Sequence, residues 1–151
     1  MTISLNDILD KRVIDVAIDA RNKVEAIDYL SKLLFDAGYI TDIDSYKEDI
    51  YLRESQGQTG IGNYIAIPHG QSESVVKNGI AIGKLKHEID WETLDGNGVK
   101  VVCLFSVSNN PESGRDHLMM LAQLAGKLGN DDNVALLLEA ETKDDIISVF
   151  T

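Results

Sequence analysis

The sequence predicts an α/β domain with one sheet packed between helices. Three observations lead there. Strand-like and helix-like stretches alternate along the 151 residues, without a repeat, linker or low-complexity segment. Hydrophobic residues are 44% and charged residues 26%, the balance of a chain that buries its own core. The length suits one domain, 1–151.

The elements follow in order. Ser4 to Leu9 has room for a single helical turn. Val13 to Ile18 alternates as a first strand. Between Asn22 and Ala37, Val24, Ile27, Leu30, Leu33, Leu34 and Ala37 recur at helical spacing, and Gly38 stands where a helix stop belongs. Asp42 or Asp44 caps a second helix running through Tyr46, Ile50, Tyr51 and Arg53 to about Gln56-Gly57. Tyr64 to Ile67 reads as a brief buried strand, and Gln71 to Asn78 as a polar loop with room for a short helix. Gly79 to Leu85, continuing towards Ile89, is a strand, and Asp95-Gly96 is the reversal after it. Val99 to Val107 is the most β-like run. Ser108 to Pro111 breaks it. His117 to Leu128 then carries Leu118, Leu121, Leu124, Ala125 and Leu128 at amphipathic helical spacing, with Gly129 as its stop. Asp131 or Asp132 starts a helix over Val134, Leu137 and Leu138, and Thr142 to Asp145 forms a capping box for a last one through Ile146, Ile147 and Phe150.

Charge and cysteine narrow the function. A net charge of -11 opposes binding to nucleic acid backbones or anionic membranes. No apolar run approaches the roughly 20 residues of a membrane span, and Met1 to Asp7 lacks the basic start of a signal peptide. Cys103, the one cysteine, lies in the apolar run Val101 to Phe105 and reads as a buried hydrophobe. One cysteine and three scattered histidines do not make a structural zinc site. This composition fits the cytoplasm.

The chemistry concentrates at Thr59-Gly60-Ile61-Gly62-Asn63-Tyr64-Ile65-Ala66-Ile67-Pro68-His69-Gly70. Glycine admits backbone shapes and close approaches that other residues resist. Pro68 fixes its own φ and biases Ile67 towards an extended shape. His69 is therefore expected just beyond a strand end, on restrained backbone. By itself, a histidine between Pro and Gly is only a loop residue, and Thr59 and Asn63 need only shape a turn.

Thr59-Gly-Ile-Gly-Asn63 followed by Ile65-Ala-Ile-Pro-His-Gly70 resembles, without a gap, the phosphorylation-site signature of the fructose/mannitol-type enzyme IIA domains of the bacterial phosphoenolpyruvate-dependent sugar phosphotransferase system. Tyr64 and Ser72 depart from its commoner residues. The resemblance spans nearly the whole chain and implies a three-layer α/β/α sandwich with a mixed sheet. It also implies that His69 accepts a phosphoryl group, as a tele-phosphohistidine, and passes it on. The Arg53-Glu54 step, with Arg53 placed 69 − 53 = 16 positions before His69, is similar to a family step whose arginine lies near the active histidine. His117-Leu118-Met119-Met120-Leu121-Ala122-Gln123-Leu124-Ala125 resembles the segment that carries the family's second active-site histidine. His87 matches no family motif and reads as surface; Met119-Met120 reads as core and rim.

Each role has its own physical case. A neutral imidazole, with an ordinary pKa of about 6.5, is a competent nucleophile near pH 7. Its second nitrogen must keep a proton, held by a carbonyl or carboxylate. Phosphoryl transfer otherwise needs in-line positioning and charge stabilisation on the equatorial oxygens. Arg53 offers a two-pronged donor. His117 offers a ring N–H and, if it opens a helix, free backbone N–H groups beside it. Gly60, Gly62 and Asn63 offer further donors, with Glu54 and Thr59 in support. No metal and no cofactor is required.

In the family a small phosphocarrier protein is the donor and the IIB domain of a sugar permease the acceptor. Such contacts are transient, with an apolar ring around His69 and matching charge outside it. The chain is expected to be a free-standing IIA or one excised from a longer polypeptide, without direct membrane insertion. One alternative is a regulatory, nitrogen-type relative that binds partners according to phosphorylation state. A weaker one is a histidine-nucleophile phosphatase, but those use Arg-His-Gly, whereas Pro68 precedes His69 here.

Overall fold

The computed structural model describes residues 5–151. In chain order it holds α1 Leu5–Ile8, a 3-10 turn at Lys11–Val13, β1 Ile14–Ile18, α2 Lys23–Asp36, α3 Ile43–Ser55, β2 Gly60–Gly62, β3 Ile65–Ala66, β4 His69–Ser72, β5 Gly79–Ile89, β6 Val99–Ser108, α4 Pro111–Leu128, α5 Asp131–Glu139 and α6 Lys143–Phe150. Short polar side chains start the helices by accepting backbone N–H groups that have no partner inside the helix. Asn22 caps α2 and Asp42 caps α3. Thr142 and Asp145 form the reciprocal capping box of α6. Gly38, at φ +84°, ends α2 in the left-handed conformation that favours glycine.

The sheet is mixed, in the order β1-β5-β6-β3-β2, with β4 also pairing to β6. β5 runs antiparallel to β6, while β1 is parallel to β5 and both β3 and β4 are parallel to β6. β3 and β4 thus lie end to end along one side of β6, interrupted at Ile67-Pro68. Alternation along β6 sends Val102 and Leu104 to one face and Val101, Cys103 and Phe105 to the other. The first set packs with Ile27, Leu30 and Leu34 of α2 and Tyr46 and Ile50 of α3. The second packs with Leu124 and Leu128 of α4, Leu137 of α5 and Ile146 of α6. That is the expected three-layer sandwich. Cys103 lies fully buried in it, and burial pushes its thiol pKa up to about 12, which removes it as a nucleophile.

Four local expectations change. The N-terminal turn and first strand are shorter than expected: Val13 belongs to the 3-10 turn, and Ser4 lies outside the described residues. Tyr64 is not strand but turn: Asn63 and Tyr64 have φ of +56° and +67°, the paired positive values of a tight reversal joining β2 to β3. The polar stretch after His69 begins as a strand, because β6 supplies the hydrogen bonds its composition does not advertise. Finally, α4 starts six residues before His117, at Pro111, with Asn110 as its N-cap. Val24 and Leu118, counted with the apolar stripes, are 53% and 65% exposed; Met120 lies in the core instead.

Candidate functional site

Among the described strands β4 pairs with β6 alone, so its other edge is open. α3 covers one face of it and α4 approaches the other. Gly70 makes the first contact possible, since a Cβ there would stand 2.3 Å from Cε1 of Tyr46. His69 pairs in register with Phe105, and neighbouring strands are spaced to stack such residues. The two rings stack at 4.9 Å between centroids. His117 closes edge-on over both, 4.9 Å from His69 and 5.2 Å from Phe105. The last turns of α3 reach round the open edge. The result is a cavity of about 280 Å³ lined by Asp49, Leu52, Arg53, Gln56, His69, Gln71, Val107 and His117.

Of the residues predicted from sequence, His69, His117 and Arg53 therefore meet. Glu54, Thr59, Gly60, Gly62 and Asn63 do not line this cavity. Gly60 packs against Glu92 and Thr93, and the Asn63 N–H donates to Asp95 at 3.0 Å, so the glycine hairpin offers its donors to the Glu92–Asp95 loop. Glu54, the next residue around the helix, points away from the cavity that Arg53 lines. Its carboxylate accepts from the Thr59 hydroxyl at 2.7 and 2.9 Å and pairs with Lys23 at 2.8 Å. Lys23 also pairs with Glu92 at 2.7 Å and lies over the Trp91 ring at 4.9 Å. His117 is two turns inside α4, so it has no free backbone N–H groups beside it, and its contribution is its ring alone.

Sequence reasoning missed Asp49, Gln56 and Gln71 as cavity-lining groups and Lys23 and Trp91 as the surroundings of Glu54. Asp49 carried a readable signal, standing one helical turn before Arg53 on the same face. For the others only the tertiary fold decides.

The Nδ1 atoms of His69 and His117 are both buried and, among the described residues, have no hydrogen-bond partner. The Ile67 backbone carbonyl fills the expected acceptor role: its interaction with the ring opposes the lowering of the His69 pKa, although the contact falls short of full hydrogen-bond geometry. Burial of Nδ1 leaves Nε2 as the nitrogen on the cavity side. Burial lowers the His69 pKa, and the positive fields of His117 and Arg53 add to this, bringing it from 6.5 to about 4. Burial lowers the His117 pKa too. Near pH 7 both rings are neutral, which preserves the lone pair a nucleophile needs.

This has a measurable consequence. A depressed histidine pKa means that the unfolded chain takes up a proton the folded chain refuses. Stability is then full above pH 6.5 and falls as pH drops from 6.5 towards 4, by up to about 3 kcal/mol from His69. In a proton NMR titration the His69 Cε1–H shift is expected to stay flat from about pH 8 to pH 5. A midpoint near 6.5 would contradict the burial argument.

A family profile described as "Phosphoenolpyruvate-dependent sugar phosphotransferase system, EIIA 2" matches residues 7–151. The PTS system fructose-specific EIIABC component of Bacillus subtilis is 37% identical over 147 residues, covering 97% of this chain. The chain spans about a quarter of that relative's length, 23%. The mannitol-specific phosphotransferase enzyme IIA component of Halalkalibacterium halodurans is 32% identical, over 93% of this chain and 92% of its own. Among solved structures, the nitrogen regulatory protein IIA-Ntr of Neisseria meningitidis superposes with a TM-score of 0.87 at 23% identity, over 97% of this chain and 99% of that one. Enzyme IIAMTL of Escherichia coli, solved in complex with phosphorylated enzyme IIBMTL, superposes with a TM-score of 0.79 at 21% identity, over 94% of this chain and 96% of that one. At these identities the two structures speak for the fold. The profile, by contrast, spans every strand of the sheet and both cavity histidines, and on that ground the chain belongs to the EIIA 2 family of the phosphoenolpyruvate-dependent sugar phosphotransferase system.

Proposed function

We propose that this chain is the phosphoryl carrier of a sugar phosphotransferase system and that His69 carries the phosphate. The observation behind this reading is the meeting of His69, His117 and Arg53 on one cavity, with the His69 ring neutral. The lone pair of Nε2 attacks the phosphorus of a phosphohistidine on a small phosphocarrier protein. A new N–P bond forms as the donor's N–P bond breaks, and the donor ring leaves with the electron pair. Nδ1 of His69 keeps its proton throughout. Arg53 neutralises charge on the equatorial oxygens; one of its N–H groups donates to the Gly57 carbonyl at 3.1 Å and, among the described residues, the others have no such tether. His117 donates from Nε2.

The acceptor is a IIB component. Complex formation by the mannitol relative with its IIB supports this. So do Leu52 and Leu118, 59% and 65% exposed, which stand beside the cavity residues as an apolar rim for transient docking. Among the described residues no helix is long and apolar enough to cross a membrane. We place the reaction in the cytoplasm, where phosphoenolpyruvate is made. Relatives above 30% identity carry fructose, mannitol and 2-O-alpha-mannosyl-D-glycerate names, whereas the nitrogen-regulatory likeness is one of fold alone, so sugar uptake stands ahead of the regulatory alternative.

Incubation with phosphoenolpyruvate, enzyme I and the phosphocarrier is expected to place one acid-labile phosphoryl group on Nε2 of His69, as mapped by mass spectrometry. A label elsewhere, or none, overturns the assignment. His117→Ala is expected to slow transfer by about 100-fold, the usual loss of one preorganised donor, with an unchanged circular dichroism spectrum. An unchanged rate would remove His117 from the site.

A further inference from the structure

The last turn of α3 carries Arg53, yet little apolar packing holds that turn. The buried residues of α3 are Tyr46 and Ile50, both earlier in the helix. After them Leu52 is 59% exposed, and Ser55 and Gln56 are also exposed. Among the described residues, Arg53 itself is tied only to the Gly57 carbonyl, within the exposed segment that follows the helix. Glu54 is the exception. Its side chain is 6% exposed and points roughly 100° around the helix from Arg53. It is gripped by two donors from outside the helix: the Lys23 ammonium at 2.8 Å and the Thr59 hydroxyl, which is in contact with both carboxylate oxygens. Thr59 is 2% exposed and accepts a long hydrogen bond from the Trp91 indole at 3.4 Å. Lys23 is held in turn by Glu92 and by the face of Trp91. Burial opposes the charged Lys23, and its two carboxylate partners more than offset that, so its pKa lies above the usual value.

We infer that Lys23 is a positioning residue for phosphoryl transfer: by clamping Glu54 it pins the last turn of α3 and so fixes where Arg53 meets a phosphoryl group on His69. The inference rests on the function proposed above. An ion pair this far withdrawn from water, with side chains 20% and 6% exposed, seldom adds net stability over an uncharged replacement, so the contribution of Lys23 and Glu54 is geometric. Transfer is sensitive to geometry, since a displacement of about 1 Å can cost on the order of 100-fold.

The test measures single-turnover transfer from the phosphorylated phosphocarrier, with melting temperature recorded in parallel. Lys23→Met alone leaves a buried unpaired carboxylate and is expected to lower both. Lys23→Met with Glu54→Gln removes both charges; it is expected to regain the wild-type melting temperature but to transfer about tenfold slowly. Lys23→Arg restores most of the rate. In an Arg53→Ala background the Lys23→Met/Glu54→Gln pair slows transfer no further, to within about twofold, because its effect runs through Arg53. A wild-type rate for the pair while Arg53→Ala is slow overturns the inference alone. The same slowing in both backgrounds also overturns it. A wild-type rate for Arg53→Ala overturns the site reading and this inference with it.

Discussion

A chain carrying His69→Ala is expected to take up no phosphoryl group from the phosphocarrier, below about one part in 10⁵ of the wild-type rate. That figure is the lower range of what intramolecular positioning contributes to a transfer step. No second nucleophile takes over. His117 shares the cavity and is neutral, but its ring lies at 86° to that of His69 and so presents its nitrogens along another direction. Cys103 is fully buried with its thiol held protonated. The variant is expected to fold. It loses the stack on Phe105 but also loses a buried nitrogen without a partner. It should also lose part of the acid sensitivity, since the ring that refuses a proton in the folded state is gone. Labelling at pH 7, together with urea denaturation at pH 7 and pH 5, reads both effects. Phosphorylation persisting in the variant would end the assignment of His69; a stability difference between the two pH values that matches the wild type would end the account of its pKa.

What could be read from sequence was local chemistry. Asn22, Asp42, Thr142 and Asp145 announce helix starts because their side chains satisfy groups within three residues. His69, His117 and Arg53 stood out through the residues around them. Elements created by pairing across the chain were not legible. β4 is polar at Gln71 and Ser72 and becomes a strand only because β6 accepts it. Tyr64 lies in an apolar run but occupies a positive-φ turn position. Pro111 looked like a break after β6; with Asn110 before it, it was the start of α4, since proline at a first helical position lacks only an N–H that would go unpaired. That misreading made His117 a helix opener. The grip on Glu54 joins α2, the β2 hairpin and the loop after β5, and no window of neighbouring residues contains it.

Gly70→Ala tests whether the site depends on the close approach of α3 to β4. The glycine has no positive φ, so alanine fits its backbone, and the obstacle is space. An added methyl would meet Cε1 of Tyr46 at 2.3 Å, its Cζ at 2.8 Å and Cγ1 of Ile50 at 2.9 Å. Tyr46 cannot swing aside. It is fully buried, and its hydroxyl donates to the Phe105 carbonyl at 2.7 Å. Either that hydrogen bond breaks in a place closed to water, or α3 backs away from the sheet. Overpacking of this kind costs about 1–3 kcal/mol, and a lost buried hydrogen bond about as much again. A loss of about 3 kcal/mol is expected, seen as a fall of about 10 °C in melting temperature for a domain of this size. If α3 is what yields, Arg53 retreats with it and transfer slows by about tenfold. Tyr46→Leu removes the ring that the new methyl strikes. Combined with Gly70→Ala it is expected to be less destabilising than the sum of the two single changes, because the residues are in contact. Strict additivity, or a Gly70→Ala chain that melts with the wild type, would mean that the helix rests on the strand more loosely than these distances require.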